Sequence, residues 1–195
     1  MKKLIVLSIL FFLMCMMVFA QNLNTIEWGM AIRKYNGSDY ESISPHRPIA
    51  MENGDEYYIY LTSGSLGYFY VIMEYPDRTS QILYSGSPRN WVPELIINGD
   101  DNFIIPSGTG IIRIHVVVSS APRPLLGQNL NQRLVGARHT AVIDEIQAIG
   151  RSISTVAEAP ERPVKMGGGT RGEDSLTVFR YGGQNTYVRT VVIRY

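Results

Sequence analysis

The chain has 195 residues, 18 of them Lys or Arg and 17 Asp or Glu, for a formal net charge of +1. That balance gives no electrostatic case for nucleic acid as a partner. The single cysteine, Cys15, excludes a disulfide framework, and the length fits one ordinary domain.

Two lysines, an unbroken apolar run and Val18-Phe19-Ala20 before Gln21 open the chain. The pattern predicts a cleaved secretory signal over residues 1–20. The apolar run is short for a membrane span of roughly 20 residues, which argues against an uncleaved anchor. Lipid anchoring at Cys15 is the other alternative, but Phe12-Leu13-Met14 lack the small residues of a lipoprotein signal. Cleavage would leave a single β-rich domain over residues 21–195, periplasmic or extracellular, with no transmembrane segment and no cysteine. Packing would then hold it in a compartment that permits disulfides.

From residue 28 to about 121, short β-like runs alternate with turn residues, as expected for an antiparallel sandwich or open barrel. Strands are predicted at 28–35, 56–62, 68–75, 81–84, 102–105 and 110–119. Asn53-Gly54-Asp55 and Asn98-Gly99-Asp100-Asp101 supply residues that tolerate positive φ, and Pro76-Asp77 presets a turn that makes 68–84 a hairpin. Strand parity assigns faces. Ile112, Ile114, Val116 and Val118 form a wholly apolar set and should face the core, with Arg113 and His115 opposite. Phe69, Val71, Met73 and Tyr75 form a second core set. Tyr68, Tyr70, Ile72 and Glu74 then lie on an amphipathic face, exposed or partly covered.

After Ala121-Pro122-Arg123-Pro124 the period changes. Val142, Ile146, Ile149 and Ile153 make one helical stripe within residues 138–153, which predicts an amphipathic helix packed on the sheet. His139 falls near its N-terminus, where Thr140 could cap. A Pro/Gly-rich loop follows at 161–175. Two last strand-like runs, 176–181 and 186–195, joined by Gly182-Gly183-Gln184-Asn185, predict a C-terminal β-hairpin. The final run also resembles the last strand of an outer-membrane barrel, but the short strands and intervening helix argue against a barrel. The fold expected is therefore mainly β: an antiparallel sandwich, Ig-like or related, with one packed helix and a terminal hairpin.

The candidate chemistry is sparse. No G-x-S-x-G elbow occurs, and Gly64-Ser65-Leu66-Gly67 reads as a turn. His46, His115 and His139 lack metal-ligand spacing, and Met166-Gly167-Gly168-Gly169-Thr170-Arg171-Gly172 lacks the phosphate-loop order. Asp100-Asp101 and Glu173-Asp174 are adjacent acids in turn-like segments, with nothing to fix a glycosidase separation. No cofactor or metal is expected. Tyrosine is the compositional signal: Tyr57, Tyr58, Tyr60, Tyr68, Tyr70, Tyr75 and Tyr84 cluster in one stretch. Such residues suit protein interfaces and sugar stacking as well as strands. Tyr68, Tyr70, Arg113 and His115 are the candidate binding residues.

Residues 50–124 resemble the bacterial envelope family catalogued as domain of unknown function 4384. The resemblance rests on Gly54-Asp55, Gly67-Tyr68-Phe69-Tyr70-Val71-Ile72, Pro76-Asp77, Ile82-Leu83-Tyr84, Ile105-Pro106 and Ser119-Ser120-Ala121-Pro122. Where that family tends toward P-D-G, this chain has Pro76-Asp77-Arg78. The resemblance implies a β-rich envelope module and supplies no catalytic residue. The function expected is a non-catalytic module that binds another envelope or surface protein. The alternatives are a carbohydrate-binding module using Tyr68, Tyr70 and His115, and an unrecognised hydrolase. The parity argument also predicts that Ile114→Asp is severely destabilising and His115→Ala mild.

Overall fold

Period-two alternation decides which side of each strand is buried, and the apolar sets named above meet in one interior. The computed structural model of the chain describes residues 25–63, 67–87, 95–97, 102–152, 164–166 and 176–195. The expected signal with Cys15, the turns at 64–66 and 98–101, Ile153 and most of the 161–175 loop lie outside the described residues.

The first sheet contains β1 (Thr25–Tyr35), β2 (Tyr40–Ile43), β4 (Glu56–Ser63), β7 (Leu95–Ile97), β8 (Phe103–Ile104), β11 (Val164–Met166) and β12 (Leu176–Gln184). Its order is β11-β12-β1-β4-β7, with β2 also on β1 and β8 also on β4. The second sheet contains β3 (Ile49–Ala50), β5 (Tyr68–Glu74), β6 (Ser80–Gly86), β9 (Ile111–Ser119), β10 (Arg133–Leu134) and β13 (Thr186–Arg194), in the order β10-β6-β5-β9-β13-β3. Its β13–β3 pair is parallel, and the other strand pairs of both sheets are antiparallel. A 3-10 turn, Pro124–Gly127, and helix α1, Ala137–Ser152, complete the described fold. The architecture is the expected mainly-β sandwich with one packed helix.

The interior between the sheets takes Trp28, Met30 and Ile32 from β1 and Tyr57, Ile59 and Leu61 from β4. It takes Phe69, Val71 and Met73 from β5, and Ile112, Ile114, Val116 and Val118 from β9, as parity predicts. Trp28 packs edge-on against Tyr187 of β13, ring centroids 5.4 Å apart, an arrangement that adds about 0.5–1.5 kcal/mol beyond area burial. Tyr75 packs on the rim of the same cluster. The 68–84 hairpin also forms, closed by Tyr75 N–H to the Thr79 carbonyl at 2.9 Å and Arg78 N–H to the Tyr75 carbonyl at 3.2 Å.

The terminal hairpin does not form. β12 pairs with β1 in the first sheet, whereas β13 pairs with β9 in the second. The chain turns the corner at Asn185, which has φ +63°, and the Asn185 carbonyl accepts a hydrogen bond from Ser120 N at 2.7 Å. Two apolar runs joined by a Gly-rich link look alike whether they pair with each other or swap sheets; here β1 and β9 supply the backbone partners that each run takes instead of the other. Within the loop expected at 161–175, Val164–Met166 adds to β12 as a strand. Thr140 is no N-cap either, since its Oγ1 donates back to the Gly136 carbonyl at 3.2 Å inside the first turn.

Candidate functional site

The outward face of the second sheet carries Tyr68, Tyr70 and Ile72 of β5, Arg113, His115 and Val117 of β9, and Val188 of β13. Helix α1 lays Val142, Ile146 and Ile149 on it, and Leu126 and Leu134 complete a second apolar cluster around Tyr70, Ile72, Ile82 and Val117. An amphipathic helix of 16 residues is about 24 Å long, enough to run along most of a strand. The face read as exposed or partly covered is therefore covered by the helix at Tyr70, Ile72 and Val117.

The sequence-predicted site residues separate accordingly. Tyr70 is 3% exposed, and its Oη accepts a hydrogen bond from Arg123 N at 2.6 Å, fixing the start of the 3-10 turn. Arg123 then extends to Thr186 Oγ1 at 3.2 Å and to Glu145 of α1 at 3.5 Å, tying helix to sheet. His115 is 6% exposed. Both residues are structural parts of the helix–sheet interface, because the helix brings its own apolar stripe to the face that a ligand would need. Tyr68 and Arg113 retain partial exposure, with the Arg113 side chain at 43%. They lie at opposite ends of the β5–β9 pair, Tyr68 opposite Ser119 and Arg113 opposite Glu74, about 20 Å apart along the strands. The structure does not bring these four residues into one site.

His115 has hydrogen-bond partners on both ring nitrogens, Thr190 Oγ1 at 2.9 Å from Nδ1 and Glu74 Oε2 at 3.2 Å from Nε2. Hydroxyl, imidazole and carboxylate in series have the order of a nucleophilic relay. Here the three groups come from adjacent strands beneath a packed helix, and His115 is buried. Cross-strand satisfaction of a buried imidazole accounts for the contacts. The hydrogen bond from His115 holds the Glu74 carboxyl below its ordinary range, and partial burial works against that shift. The electrostatic influence of His115, Arg113 and His139 adds to the lowering.

The outward face of the first sheet has a different character. Parity on β1 and β4 turns Ala31, Arg33, Tyr58 and Tyr60 away from the interior between the sheets, Ala31 and Tyr60 being buried in a small cluster of their own with Tyr58 packed against it. The register sets Arg33 beside both Tyr58 and Ser42, and Tyr35 beside Tyr40. The Arg33 guanidinium carbon lies 5.8 Å from the Tyr40 ring centroid and 5.7 Å from that of Tyr58. Its Nη1 donates to Tyr58 Oη at 2.9 Å, and its Nη2 donates to the Tyr40 carbonyl. The Tyr40 ring meets Tyr58 edge-on at 5.0 Å and Tyr35 at 5.1 Å. Tyr40 Oη in turn accepts from Asn102 Nδ2, which also donates to Glu56 Oε2 at 3.1 Å. Tyr35 is 36% exposed at the end of this row.

This platform of Arg33, Tyr35, Tyr40 and Tyr58 is the functional candidate that sequence reasoning missed. Parity applied to 56–62 separates Tyr58 and Tyr60 from the core set Tyr57, Ile59 and Leu61. The same test on 28–35 separates Arg33 and Tyr35 from Trp28, Met30 and Ile32. Tyr40 had no such signal, because the four-residue β2 is too short to show alternation.

The geometry defines a β-sandwich with one sheet face closed by a helix and the other bearing an aromatic row threaded by an arginine. Compared with known protein families, curated proteins and solved structures, the chain matches none. Among the described residues, no group of three or more His, Cys, Asp or Glu side chains is placed to hold a metal ion. Among the same residues, no helix is long and apolar enough to cross a membrane.

Proposed function

We propose that the protein is a non-catalytic secreted or envelope module, of the kind that the resemblance to domain of unknown function 4384 implies. In this reading it binds another envelope or surface protein through the outward face of its first sheet. The supporting observation is the Arg33–Tyr40–Tyr58–Tyr35 platform. Tyrosine and arginine are the side chains enriched at the energetic centres of protein interfaces, where they give large contact area at low entropic cost. Edge-to-face packing and the Arg33 hydrogen bonds hold the rings in place before any partner arrives, which lowers the ordering cost of binding. The rings interleave with one another instead of lying flat, a geometry better suited to a side-chain partner than to a stacked sugar. Burial of Tyr70 and His115 also removes two of the three residues on which the carbohydrate alternative rested.

The test is crosslinked capture from envelope extract using the wild-type protein, the Tyr35→Ser and Tyr58→Ser variants, and Tyr68→Ser as a control on the other sheet. A specific species lost with the first two variants and kept with the control supports the platform. Capture indifferent to Tyr35 and Tyr58 removes it. Binding to a glycan array that depends on Tyr35 would move the partner from protein to carbohydrate.

A further inference from the structure

We propose that Asn36 is a site of spontaneous covalent modification. The Gly37 amide closes onto the Asn36 side chain, and water opens the resulting ring to aspartate or isoaspartate.

Two Asn-Gly pairs lie among the described residues, Asn36-Gly37 and Asn53-Gly54, and both asparagines are exposed. In each the following glycine has positive φ, +93° at Gly37 and +85° at Gly54, and has no Cβ to obstruct attack by its own nitrogen. Their hydrogen bonding is opposite. With its amide oriented to suit the neighbouring carbonyls, Asn53 donates from its side-chain nitrogen to the Pro106 and Gly108 oxygens, 3.0 Å each. Those bonds hold the would-be leaving group.

At Asn36 the bonds fall on the oxygen. Oδ1 accepts from Ser38 N at 3.1 Å, Ser38 Oγ at 3.0 Å and Asp39 N at 2.9 Å. The Asn36 side-chain nitrogen and the Gly37 N–H have no hydrogen-bond partner among the described residues. Three donors on one carbonyl oxygen polarise Cγ and stabilise the negative charge that develops there as a nucleophile adds, the logic of an oxyanion hole. The attacking nitrogen and the departing one are both unencumbered.

The chemistry balances without an oxidant or cofactor. The Gly37 nitrogen forms a bond to Asn36 Cγ, the Cγ–Nδ2 bond breaks, and ammonia leaves carrying the former Gly37 amide proton. One water then adds across the cyclic imide. Opening at Cγ gives aspartate, and opening at the backbone carbonyl gives isoaspartate with an extra methylene in the main chain. Either product places a new carboxylate in the loop between β1 and β2, beside Asp39. That loop joins Tyr35 to Tyr40, and Tyr35 Oη donates to the Gly37 carbonyl at 2.9 Å. The change would therefore reshape one end of the aromatic platform, a consequence that rests on the binding role proposed above.

The experiment incubates the full native chain at mildly alkaline pH, with a parallel sample in denaturant, and follows both sites by peptide mapping with isoaspartate-specific labelling. In the native protein Asn36 should convert at least about tenfold faster than Asn53, a rate difference of the size one hydrogen bond can produce. In denaturant the two should convert at similar rates. Ser38→Ala, which removes one donor to Oδ1, should slow Asn36 conversion, and Asn36→Gln should abolish it at that position. Equal native rates at the two sites, or folding that slows Asn36 as much as Asn53, overturns the proposal. If modified protein captures its partner as well as unmodified protein does, only the consequence for the platform is lost.

Discussion

His115 Nε2 lies 3.2 Å from Glu74 Oε2, and Arg113 Nη1 approaches the same carboxylate oxygen at 3.5 Å. Glu74 therefore stands at the edge of the helix–sheet interface with its carboxyl held below the ordinary value of 4.5, the hydrogen bond from His115 being the largest cause. A carboxyl depressed in the folded state binds fewer protons there than in the unfolded chain, so stability rises with pH across its titration. The contribution is fully present above the ordinary value and is lost as pH falls through the folded one. Thermal melts from about pH 6 down to about pH 3 should show a falling midpoint in wild type and a smaller fall in Glu74→Gln. Asp55 and Asp77 are also lowered, so the difference between the two proteins carries the result, and parallel curves would remove Glu74 from the account.

Ile114 and His115 are neighbours on β9 that face opposite interiors. Ile114→Asp places an unpaired carboxylate between the sheets and should cost more than about 4 kcal/mol, enough to unfold many domains. For His115→Ala, burial and two side-chain partners replace the parity-based expectation of a mild effect with a larger one. It leaves Thr190 and Glu74 without their buried partner and should cost about 1–3 kcal/mol. Chemical denaturation of the two variants should rank them in that order, both below wild type.

Arg78 adopts φ +60° at the tip of the β5–β6 hairpin, a conformation that costs a non-glycine residue about 1–2 kcal/mol. The turn is nevertheless held, since Asp77 Oδ1 accepts from Thr79 N and Oγ1 at 3.2 and 2.6 Å, and Arg133 of β10 pairs with Asp77 at 2.7 Å. Arg78→Gly removes the strain but adds freedom to the unfolded chain, for a net gain of up to about 1 kcal/mol. A raised denaturation midpoint is expected, with Arg78→Val moving it the other way.

Gly110 exchanges two backbone hydrogen bonds with Tyr195, at 2.8 and 3.1 Å. A Cβ at Gly110 would stand 2.7 Å from Pro76 Cγ and 2.8 Å from Tyr195 Oη. Pro76 is a rigid ring in the hairpin turn, so Gly110→Ala should destabilise by about 1–3 kcal/mol through overpacking. Tyr195→Leu removes one of the two obstacles, and the double variant should lose less than the sum of the singles. Additive losses in denaturant melts would place the strain at Pro76 alone.

The parts of this fold legible in the sequence are those that local periodicity controls. Alternation along residues 68–75 and 110–119 separated core from outer residues, since a one-residue error would have put isoleucine and valine in water. The four-three-four spacing of Val142, Ile146, Ile149 and Ile153 marked the helix, and Pro76-Asp77 marked the turn of the 68–84 hairpin. β2, β3, β7, β10 and β11 were not legible, because strands of two to four residues show little alternation of their own and exist through the partners that hydrogen-bond them; β8, as short, was legible only as part of the run at 102–105.

Tertiary structure alone decided which faces remain open. The residues of 68–75 that point away from the core read as an amphipathic surface, and only the placement of α1 over them turned Tyr70 and His115 into interior groups. The same placement leaves the aromatic side chains of β1, β2 and β4 as the row that faces outward, assembled from Tyr35, Tyr40 and Tyr58 around Arg33. The last two strands went to different sheets for a related reason. Alternation fixes which side of a strand is apolar but not which neighbour completes its hydrogen bonds, and that choice depends on the register of the whole sandwich.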